Sequence, residues 1–185
     1  MIYGRDEFSK GELNNIVSLH CRELGKKDLS VVLGVEVIKK FYLMLAHTPH
    51  GVLFINKNKE DITSVVCVFN NYSFFTKEFK NSILKYIIFH PWKLVVGLPL
   101  ILRTIFTSGI VPEEFSNSHL GIIIINSKFS SSREVVLNFR RDIKKSFLYL
   151  KEHGHKNVWG STRDDNRKTV AFLEKNEFKS IGGKA

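Results

Sequence analysis

The chain has 185 residues, 43% of them hydrophobic, and 28 lysines and arginines against 18 aspartates and glutamates give a formal net charge of +10. A chain of this length and composition can form one domain with a substantial core. The positive charge favours a polyanionic partner, such as a phosphate-rich cofactor, a nucleic acid or an anionic membrane, without choosing among them.

The cysteines and the N-terminus exclude several classes of protein. Cys21 and Cys67 are too few for a disulfide scaffold and neither belongs to a C-x-x-C pair. No spacing of histidine, aspartate or glutamate suggests a metal site. The N-terminus lacks the apolar segment of a signal peptide, and no stretch reaches the roughly 20 apolar residues of a spanning helix. We therefore expect a reduced, cytoplasmic protein without a metal.

Two helices and a hairpin are predicted in the first part of the chain. Apolar residues at helical spacing predict a helix over residues 5–24 and a second helix that Ser30 caps and that ends before Pro49. The β-branched, apolar runs at 51–56 and 62–70, separated by the polar turn KNKED, predict an antiparallel hairpin.

Residues 77–106 form an apolar and basic insert that Pro91 and Pro99 divide into short helices. We expect these helices to cover the substrate side of a sheet. The alternative is contact with a membrane surface, since lysines and an arginine punctuate the apolar residues with only Glu78 opposing them. Residues 107–118 have the composition of a loop.

The strongest strand candidate is the apolar run at 120–125, which suits a central strand buried on both faces. A serine-rich turn and an amphipathic helix that ends at Gly154 follow. A strand over 156–162, a helix over 165–176 and a short strand over 178–181 complete the prediction. A strand that leads directly into a helix N-terminus can place backbone N–H groups around an anionic ligand.

The last predicted helix has a distinctive spacing of residues. It reads Asn166-x-x-Thr169-x-x-Phe172-x-Glu174-Lys175-x-x-Phe178. This spacing resembles the N-x-x-A-x-x-F-Y-E-K-x-G-F helix of the Gcn5-related N-acetyltransferases, known as GNAT proteins. The stretch LSVVLGVEVIKKFYLML is similar to the L-G-x-x-F-L-x-x-F-Y sequence in the substrate-side helices of some family members.

The resemblance extends over residues 29–181 and also includes the order of the elements. It implies an α/β (α+β) fold in which helices flank a mixed, mostly antiparallel central sheet. It further implies one acyltransferase-like domain over residues 1–185, with the apolar helical insert at 77–106.

In that family the loop Q/R-x-x-G-x-G/A after the fourth strand holds the pyrophosphate of acetyl-CoA on backbone N–H groups. The loop falls on residues 130–135, which contain neither glycine. In one interpretation, hydroxyl groups and a guanidinium rebuild the anion site from side chains. These side chains are Ser130, Ser131, Ser132 and Arg133. In the other, Ser131-x-x-Glu134 is a capping box, and its carboxylate repels the pyrophosphate.

The resemblance also implies contacts along the fourth strand. The pantetheine arm of acetyl-CoA enters where the fourth and fifth strands diverge, and it pairs with main-chain groups of the fourth. Ile123, Ile124 and Ile125 can supply these groups whatever their side chains. Asn166 matches the family residue whose amide contacts the cofactor, and its alternative role is a helix cap.

The residues expected to catalyse the transfer match the family pattern only in part. His119 stands where many family members carry a polar residue facing the substrate amine, and an unperturbed histidine suits a general base. The alternative is a strand-edge histidine packed against a loop. Leu173 replaces the family tyrosine that reprotonates the thiolate of CoA, and Glu177 replaces the motif glycine. Tyr42 and Tyr149 are the substitutes that the sequence offers.

These features predict an acetyl-CoA-dependent N-acetyltransferase acting on a primary amine of a small molecule, such as an amino sugar. The alternative is a catalytically inactive GNAT-fold binding or regulatory module, which the absent glycines and Leu173 favour. Basic residues are spread over several elements without an aromatic and basic strand signature, so we expect no nucleic-acid partner.

The C-terminal end departs from the family pattern, which calls for another strand after Phe178, whereas this sequence stops at Ala185. Either the last strand is absent or the sequence is part of a longer protein. In the first case, exposed strand edges invite pairing with a second copy, and we then expect a homodimer.

Overall fold

Helices and strands alternate along the chain. The computed structural model describes residues 2–3, 9–25, 28–93, 95, 97, 117–160, 167–175 and 178–179. The elements up to residue 93 are β1 (Ile2–Tyr3), α1 (Lys10–Leu24), α2 (Leu29–Leu33), α3 (Val35–His47), β2 (Gly51–Asn58), β3 (Asp61–Phe69) and α4 (Tyr72–Phe89). The later elements are β4 (His119–Ile125), a 3-10 turn (Ser127–Phe129), α5 (Arg133–Glu152), β5 (Trp159–Gly160) and α6 (Arg167–Lys175).

The strands in the described part of the chain form one sheet in the order β1-β2-β3-β4-β5. The pairs β1–β2, β2–β3 and β3–β4 are antiparallel, whereas β5 pairs with β4 in parallel. This arrangement confirms the predicted mixed, mostly antiparallel sheet flanked by helices. The predicted hairpin is also confirmed. Its first strand is longer than predicted and its second begins one residue earlier, because Asn58 pairs with Asp61 and the left-handed φ of 55° at Lys59 tightens the turn.

Each face of the sheet carries its own apolar core. In the first core, α1, α3 and α4 contact one face through buried residues such as Ile16, Ile38 and Phe75. In the second core, α5 contacts the other face through Phe139 and Ile143 at helical spacing. Because each fully buried aliphatic or aromatic side chain contributes about 1.5–3 kcal/mol, the two cores fix the helices on the sheet.

A β-bulge interrupts β4. Gly121 and Ile122 both oppose the single β3 residue Cys67, so the pairing between β3 and β4 shifts by one residue. Leu120 and Ile123, which flank the pair, both contact the second core, whereas Ile122 contacts the first. The bulge therefore resets the alternation of side chains within the strand.

We expect Gly121→Ala to lower the free energy of unfolding by about 1–3 kcal/mol, measured by urea denaturation. The added Cβ would lie 2.5 Å from a ring carbon of Phe69, which is itself buried. The matched control is Gly11→Ala in α1, where the added Cβ would meet only the Ser9 hydroxyl at 4.0 Å. This control should stabilise the protein by about 0.4–1 kcal/mol. Equal stability of Gly121→Ala and the parent would show that the bulge tolerates a side chain.

Two predicted boundaries near the N-terminus are wrong. The first helix begins at Lys10 rather than at residue 5, because Ser9 and Glu12 form a capping box. The Ser9 hydroxyl accepts from the Glu12 N–H at 3.2 Å, and the Glu12 carboxylate accepts from the Ser9 N–H at 3.0 Å.

The second predicted helix is two helices. Gly34 divides them, because its φ of 108° lies outside the helical region. The cap of the first of these helices is Asp28 rather than Ser30, since the Asp28 carboxylate accepts the N–H groups of Ser30 and Val31 at 2.9 and 3.4 Å.

The predicted insert at 77–106 lies only partly within the described residues. Residues 77–93 are mostly helical, and their helix already begins at Tyr72, because the Asn71 side chain accepts from the N–H of Phe74 at 3.1 Å. Residues 98–106 lie outside the described ranges, so the full extent of the insert stays a prediction.

The C-terminal strands are shorter than predicted over the part that the structure describes. Only Trp159 and Gly160 of the predicted strand 156–162 pair with β4, and residues 161 and 162 lie outside the described ranges. Phe178 is not in a strand. Its N–H donates to the carbonyl of Leu173 at 3.1 Å, and its ring packs into the second core, which keeps it beside α6.

Candidate active site

Strand β4 carries predicted site residues along its whole length. His119 begins the strand, Ile123 to Ile125 end it, and the serine-rich turn follows. At about 3.3 Å per residue, the two ends of the strand lie roughly 20 Å apart. A site along β4 is therefore suited to an elongated ligand.

The edge of β4 that faces β5 is paired only at its start. His119 pairs with Trp159, and Leu120 pairs with Gly160. Within the residues that the structure describes, no strand pairs with residues 121–125 on this side. This open edge leaves main-chain groups of β4 free to bind a ligand.

The register shows which isoleucines face the open edge. The N–H of Asn126 donates to the carbonyl of Thr63 on β3 at 2.9 Å. Because main-chain groups alternate between the two edges of a strand, those of Ile124 also face β3, whereas those of Ile123 and Ile125 face the open edge. Two of the three predicted isoleucines therefore present their main chain at the open edge.

Asn126 fixes the turn that follows β4. Its buried side chain donates to the carbonyl of Ile62 at 2.8 Å. Its side-chain oxygen accepts from a guanidinium nitrogen of Arg22 at 2.9 Å and from the N–H of Lys128 at 3.1 Å. The turn is thus held from β3 and from α1, and its position does not depend on its own serines alone.

Glu23, at the end of α1, holds the same turn. Its carboxylate accepts the N–H of Ser127 at 3.1 Å and the Ser127 hydroxyl at 3.0 Å. Partial burial raises the pKa of Glu23, but hydrogen bonds from Arg22 and Ser127 outweigh burial and lower the pKa overall. Sequence analysis missed this contact, because it joins residues 104 positions apart.

Ser132 is the N-cap of α5. Its hydroxyl oxygen accepts from the N–H of Val135 at 3.5 Å, and the helix begins at Arg133. The capping box predicted from Ser131 and Glu134 is therefore wrong, because the helix starts one residue later than that box requires.

The turn also presents free hydrogen-bond donors. Among the described residues, the backbone N–H groups of Ser131, Arg133 and Glu134 have no hydrogen-bond partner. The side chains of these three residues are exposed, whereas the Ser130 hydroxyl donates to the carbonyl of Ser127 at 2.9 Å. A helix N-terminus with free N–H groups and a guanidinium can bind an anion, against the opposing charge of Glu134.

His119, at the other end of β4, is enclosed by aromatic rings. It is only 5% exposed, and its ring lies 4.1 Å from Tyr72, 4.3 Å from Trp159 and 6.1 Å from Phe69, measured between centroids. Neither ring nitrogen has a hydrogen-bond partner within the described part of the chain. Burial lowers the pKa of His119 to about 3, so the imidazole is neutral at physiological pH.

A buried and unpartnered histidine is costly. Leaving a buried polar group without a hydrogen bond costs about 1–3 kcal/mol. Such a group is uncommon in folded proteins and is often found at functional sites. The geometry therefore makes His119 a candidate for binding or proton transfer.

Tyr72 and Trp159 are site residues that sequence analysis did not identify. Burial raises the pKa of Tyr72, so its hydroxyl stays protonated and can donate. The antiparallel pairing of Phe69 with His119 places the residues after β3 beside His119. The order of the strands could have indicated Tyr72, whereas Trp159 depends on the parallel pairing of β5.

The tyrosines predicted as substitute acids lie elsewhere. Tyr42 is fully buried in the first core, where its hydroxyl lies 2.9 Å from Nδ1 of His20. Tyr149 lies near the end of α5, with its ring 4.2 Å from that of His153. Leu173 packs against the second core. Asn166 lies outside the residues that the structure describes.

We expect Tyr42→Phe to lower the free energy of unfolding by about 1–3 kcal/mol, because it leaves Nδ1 of the buried His20 ring without its hydrogen-bond partner. The rate of any acetyl transfer per folded molecule should stay the same, since Tyr42 has no solvent-exposed surface. Urea denaturation and a thiol-release assay measure the two quantities. A slower reaction at unchanged stability would instead place Tyr42 in the chemistry.

Known proteins resemble this chain in structure and not in sequence. No protein-family model and no curated protein sequence matches the chain. Two similar solved structures are aminoglycoside 6'-N-acetyltransferases, AAC(6')-IG from Acinetobacter haemolyticus (TM-score 0.58, 9% identity) and AAC(6')-Ih from Acinetobacter baumannii (0.57, 10%). A third is described as a transcriptional regulator from Bacillus halodurans C-125 (0.60, 13%). Each match covers 100% of this chain. It covers 94% of the chain of each of the two acetyltransferases and 96% of that of the transcriptional regulator.

These matches span the whole chain, and they confirm the predicted GNAT-like fold. At identities of 9–13% they show the fold alone.

Proposed function

We propose that this protein is an acetyl-CoA-dependent N-acetyltransferase that acts on a primary amine of a small molecule. The observation that carries the proposal is His119, a buried histidine without a hydrogen-bond partner among the described residues, at the start of the bulged strand of a GNAT-like fold. Bulges often re-aim groups beside active sites. Among the described residues, no hydrogen-bond partner compensates the cost of burying this imidazole.

The other end of β4 fits the phosphate end of acetyl-CoA. The free N–H groups at the start of α5 and the exposed guanidinium of Arg133 offer donors for a pyrophosphate. The open edge at Ile123 and Ile125 offers main-chain partners for an amide-containing arm. The contact predicted for Asn166 is kept as part of the proposal.

Bound acetyl-CoA supplies a thioester, and a C–N bond to the amine forms as its C–S bond breaks. The neutral imidazole of His119 takes one proton from the amine nitrogen and returns it to the departing sulfur, so that the protons balance. Tyr72, in ring contact with His119, holds the imidazole in place and excludes water from it. The turn and Arg133 bind the phosphates and fix the position of the thioester.

An amino sugar is the acceptor that the comparisons favour. Two of the similar structures described above are aminoglycoside N-acetyltransferases, with 9% and 10% sequence identity to this chain. Amino sugars carry primary amines on a polar ring, the kind of acceptor predicted from the sequence.

A binding or regulatory module without catalysis is the second candidate. The turn lacks both family glycines, Leu173 is part of the second core rather than a proton donor, and one similar structure is described as a transcriptional regulator. This candidate shares the fold and the anion site with the first. It differs in requiring no chemistry at His119.

A transfer assay separates the two candidates. Purified protein is incubated with acetyl-CoA and a panel of aminoglycosides, simple amino sugars and polyamines, and the release of free thiol is recorded. We expect release with at least one amino sugar and none with the N-acetylated form of the same sugar. Release at the uncatalysed rate with every amine would support the module instead.

A further inference from the structure

Helix α4 and the residues after it expose a row of large apolar side chains. They are Leu84, Ile88, Phe89, Trp92 and Val95, each between 56% and 77% exposed. Leu84 and Ile88 lie four residues apart in α4 and therefore on one side of that helix, whereas Trp92 and Val95 follow it beyond the non-helical residue His90. We call these five residues the apolar row. Large apolar side chains that are exposed together over residues 84–95 indicate an interaction site.

Basic residues accompany the apolar row. Lys77, Lys80 and Lys85 are exposed on α4, and Glu78 is the one acidic residue of that helix. Lys80 precedes Leu84 by one helical turn, and Lys85 is adjacent to it. The surface therefore combines apolar side chains with positive charge, on a protein whose net charge is +10.

We propose that the apolar row docks on an anionic phospholipid surface, with α4 lying in the plane of the interface. Apolar side chains then enter the boundary between headgroups and acyl chains, and the lysines contact the anionic headgroups. Trp92 suits this depth, because tryptophan is enriched at membrane interfaces.

A second copy of the chain is a poorer occupant of this surface. A symmetric dimer through the apolar row would bring the lysines of both copies towards one another, and like charges repel. An anionic surface neutralises the same lysines instead.

The contact is peripheral. Within the described residues, no helix is long and apolar enough to cross a bilayer. The open edge of β4 and the apolar row belong to different elements, so docking does not require the proposed enzymatic function.

Sedimentation with vesicles tests the proposal. We expect the full chain to bind vesicles of phosphatidylcholine and phosphatidylserine and to lose most of this binding with pure phosphatidylcholine or at high salt. The double variant Lys80→Gln/Lys85→Gln should bind the mixed vesicles about tenfold or more weakly. Its matched control, Lys144→Gln/Lys145→Gln on the exposed face of α5, should bind at least several-fold more tightly than that variant.

The apolar row has its own variants. Ile88→Ser/Phe89→Ser should weaken binding about tenfold or more, whereas Leu148→Ser, at a residue that is 59% exposed on α5, should have little effect. Binding should also shift the fluorescence of Trp92 to shorter wavelength. Equal binding by all variants, no preference for anionic vesicles, or a lipid-free dimer that Ile88→Ser/Phe89→Ser dissociates would each overturn the proposal.

Discussion

We expect the replacement of His119 with phenylalanine to lower kcat for the proposed acetyl transfer by a factor of about 10²–10⁴, the usual contribution of a general base. Phenylalanine fills the space between Tyr72 and Trp159 but accepts no proton. Binding of acetyl-CoA should be unchanged, since the anion-binding turn lies roughly 20 Å away along β4. Steady-state kinetics at saturating acetyl-CoA and a calorimetric titration measure the two quantities.

The matched control for this variant is His153→Phe. His153 follows α5, and its ring also lies close to that of a tyrosine, Tyr149, at 4.2 Å between centroids, but the residue is exposed. Its replacement should leave kcat unchanged. Equal kcat values for His119→Phe and the parent would remove His119 from the mechanism.

The low pKa of His119 also changes the expected pH profile. A histidine with a pKa of about 3 does not produce a decline in kcat/KM near neutrality, because the free protein keeps a neutral imidazole down to that pH. The sequence alone suggested an unperturbed, near-neutral pKa for His119, and its burial in the structure lowers this pKa to about 3. A decline near neutrality that disappears in His119→Ala would show that His119 is solvated in the free protein.

The second large effect is on stability, in the same His119→Phe variant. At pH 7 the variant should be more stable than the parent by about 1–3 kcal/mol, since it removes two buried nitrogens for which the described residues offer no hydrogen-bond partner. A gain in stability with a loss of activity is the expected signature of a functional residue in a costly environment.

The stability difference also depends on pH. The folded-state pKa of about 3 lies below the unfolded value of 6.5, so between these values the unfolded chain binds a proton that the native protein does not. The parent therefore loses stability as the pH falls below 6.5, by about 2 kcal/mol between pH 7 and pH 5.

The phenylalanine variant does not bind this proton. Its free energy of unfolding should therefore exceed that of the parent by about 2 kcal/mol more at pH 5 than at pH 7. Urea denaturation of both proteins at the two pH values measures the change, and carboxylates that titrate in both proteins cancel in the difference. If the difference in free energy of unfolding between the two proteins is the same at both pH values, His119 also binds a proton in the native protein over this range.

Periodicity and strand pattern were sufficient to predict the main features of the fold. The β-branched, apolar runs on either side of the polar turn KNKED predicted the hairpin, and the apolar run at 120–125 predicted the strand that carries the candidate site. These signals are local, and each depends on which face of one element is buried.

Long-range features of the site could not be predicted in the same way. Glu23 reaches Ser127 from another helix, and Trp159 reaches His119 through a parallel pairing of two residues. Burial lowers the pKa of His119, and two of the rings that lie against it, Tyr72 and Trp159, belong to no motif. The bulge at Gly121 depends on the register with β3, which a single strand does not reveal.

Calorimetric titration with acetyl-CoA tests the central claim most directly. The roles proposed for His119 at one end of β4 and for Arg133 beyond the other end both require that the protein binds acetyl-CoA. We predict micromolar binding that weakens at least about tenfold in Arg133→Glu. Arg140→Glu, which places the same change on the exposed face of α5, should leave the affinity within about twofold to threefold of the parent. The absence of heat at millimolar acetyl-CoA, or equal affinity of Arg133→Glu and the parent, would contradict the account.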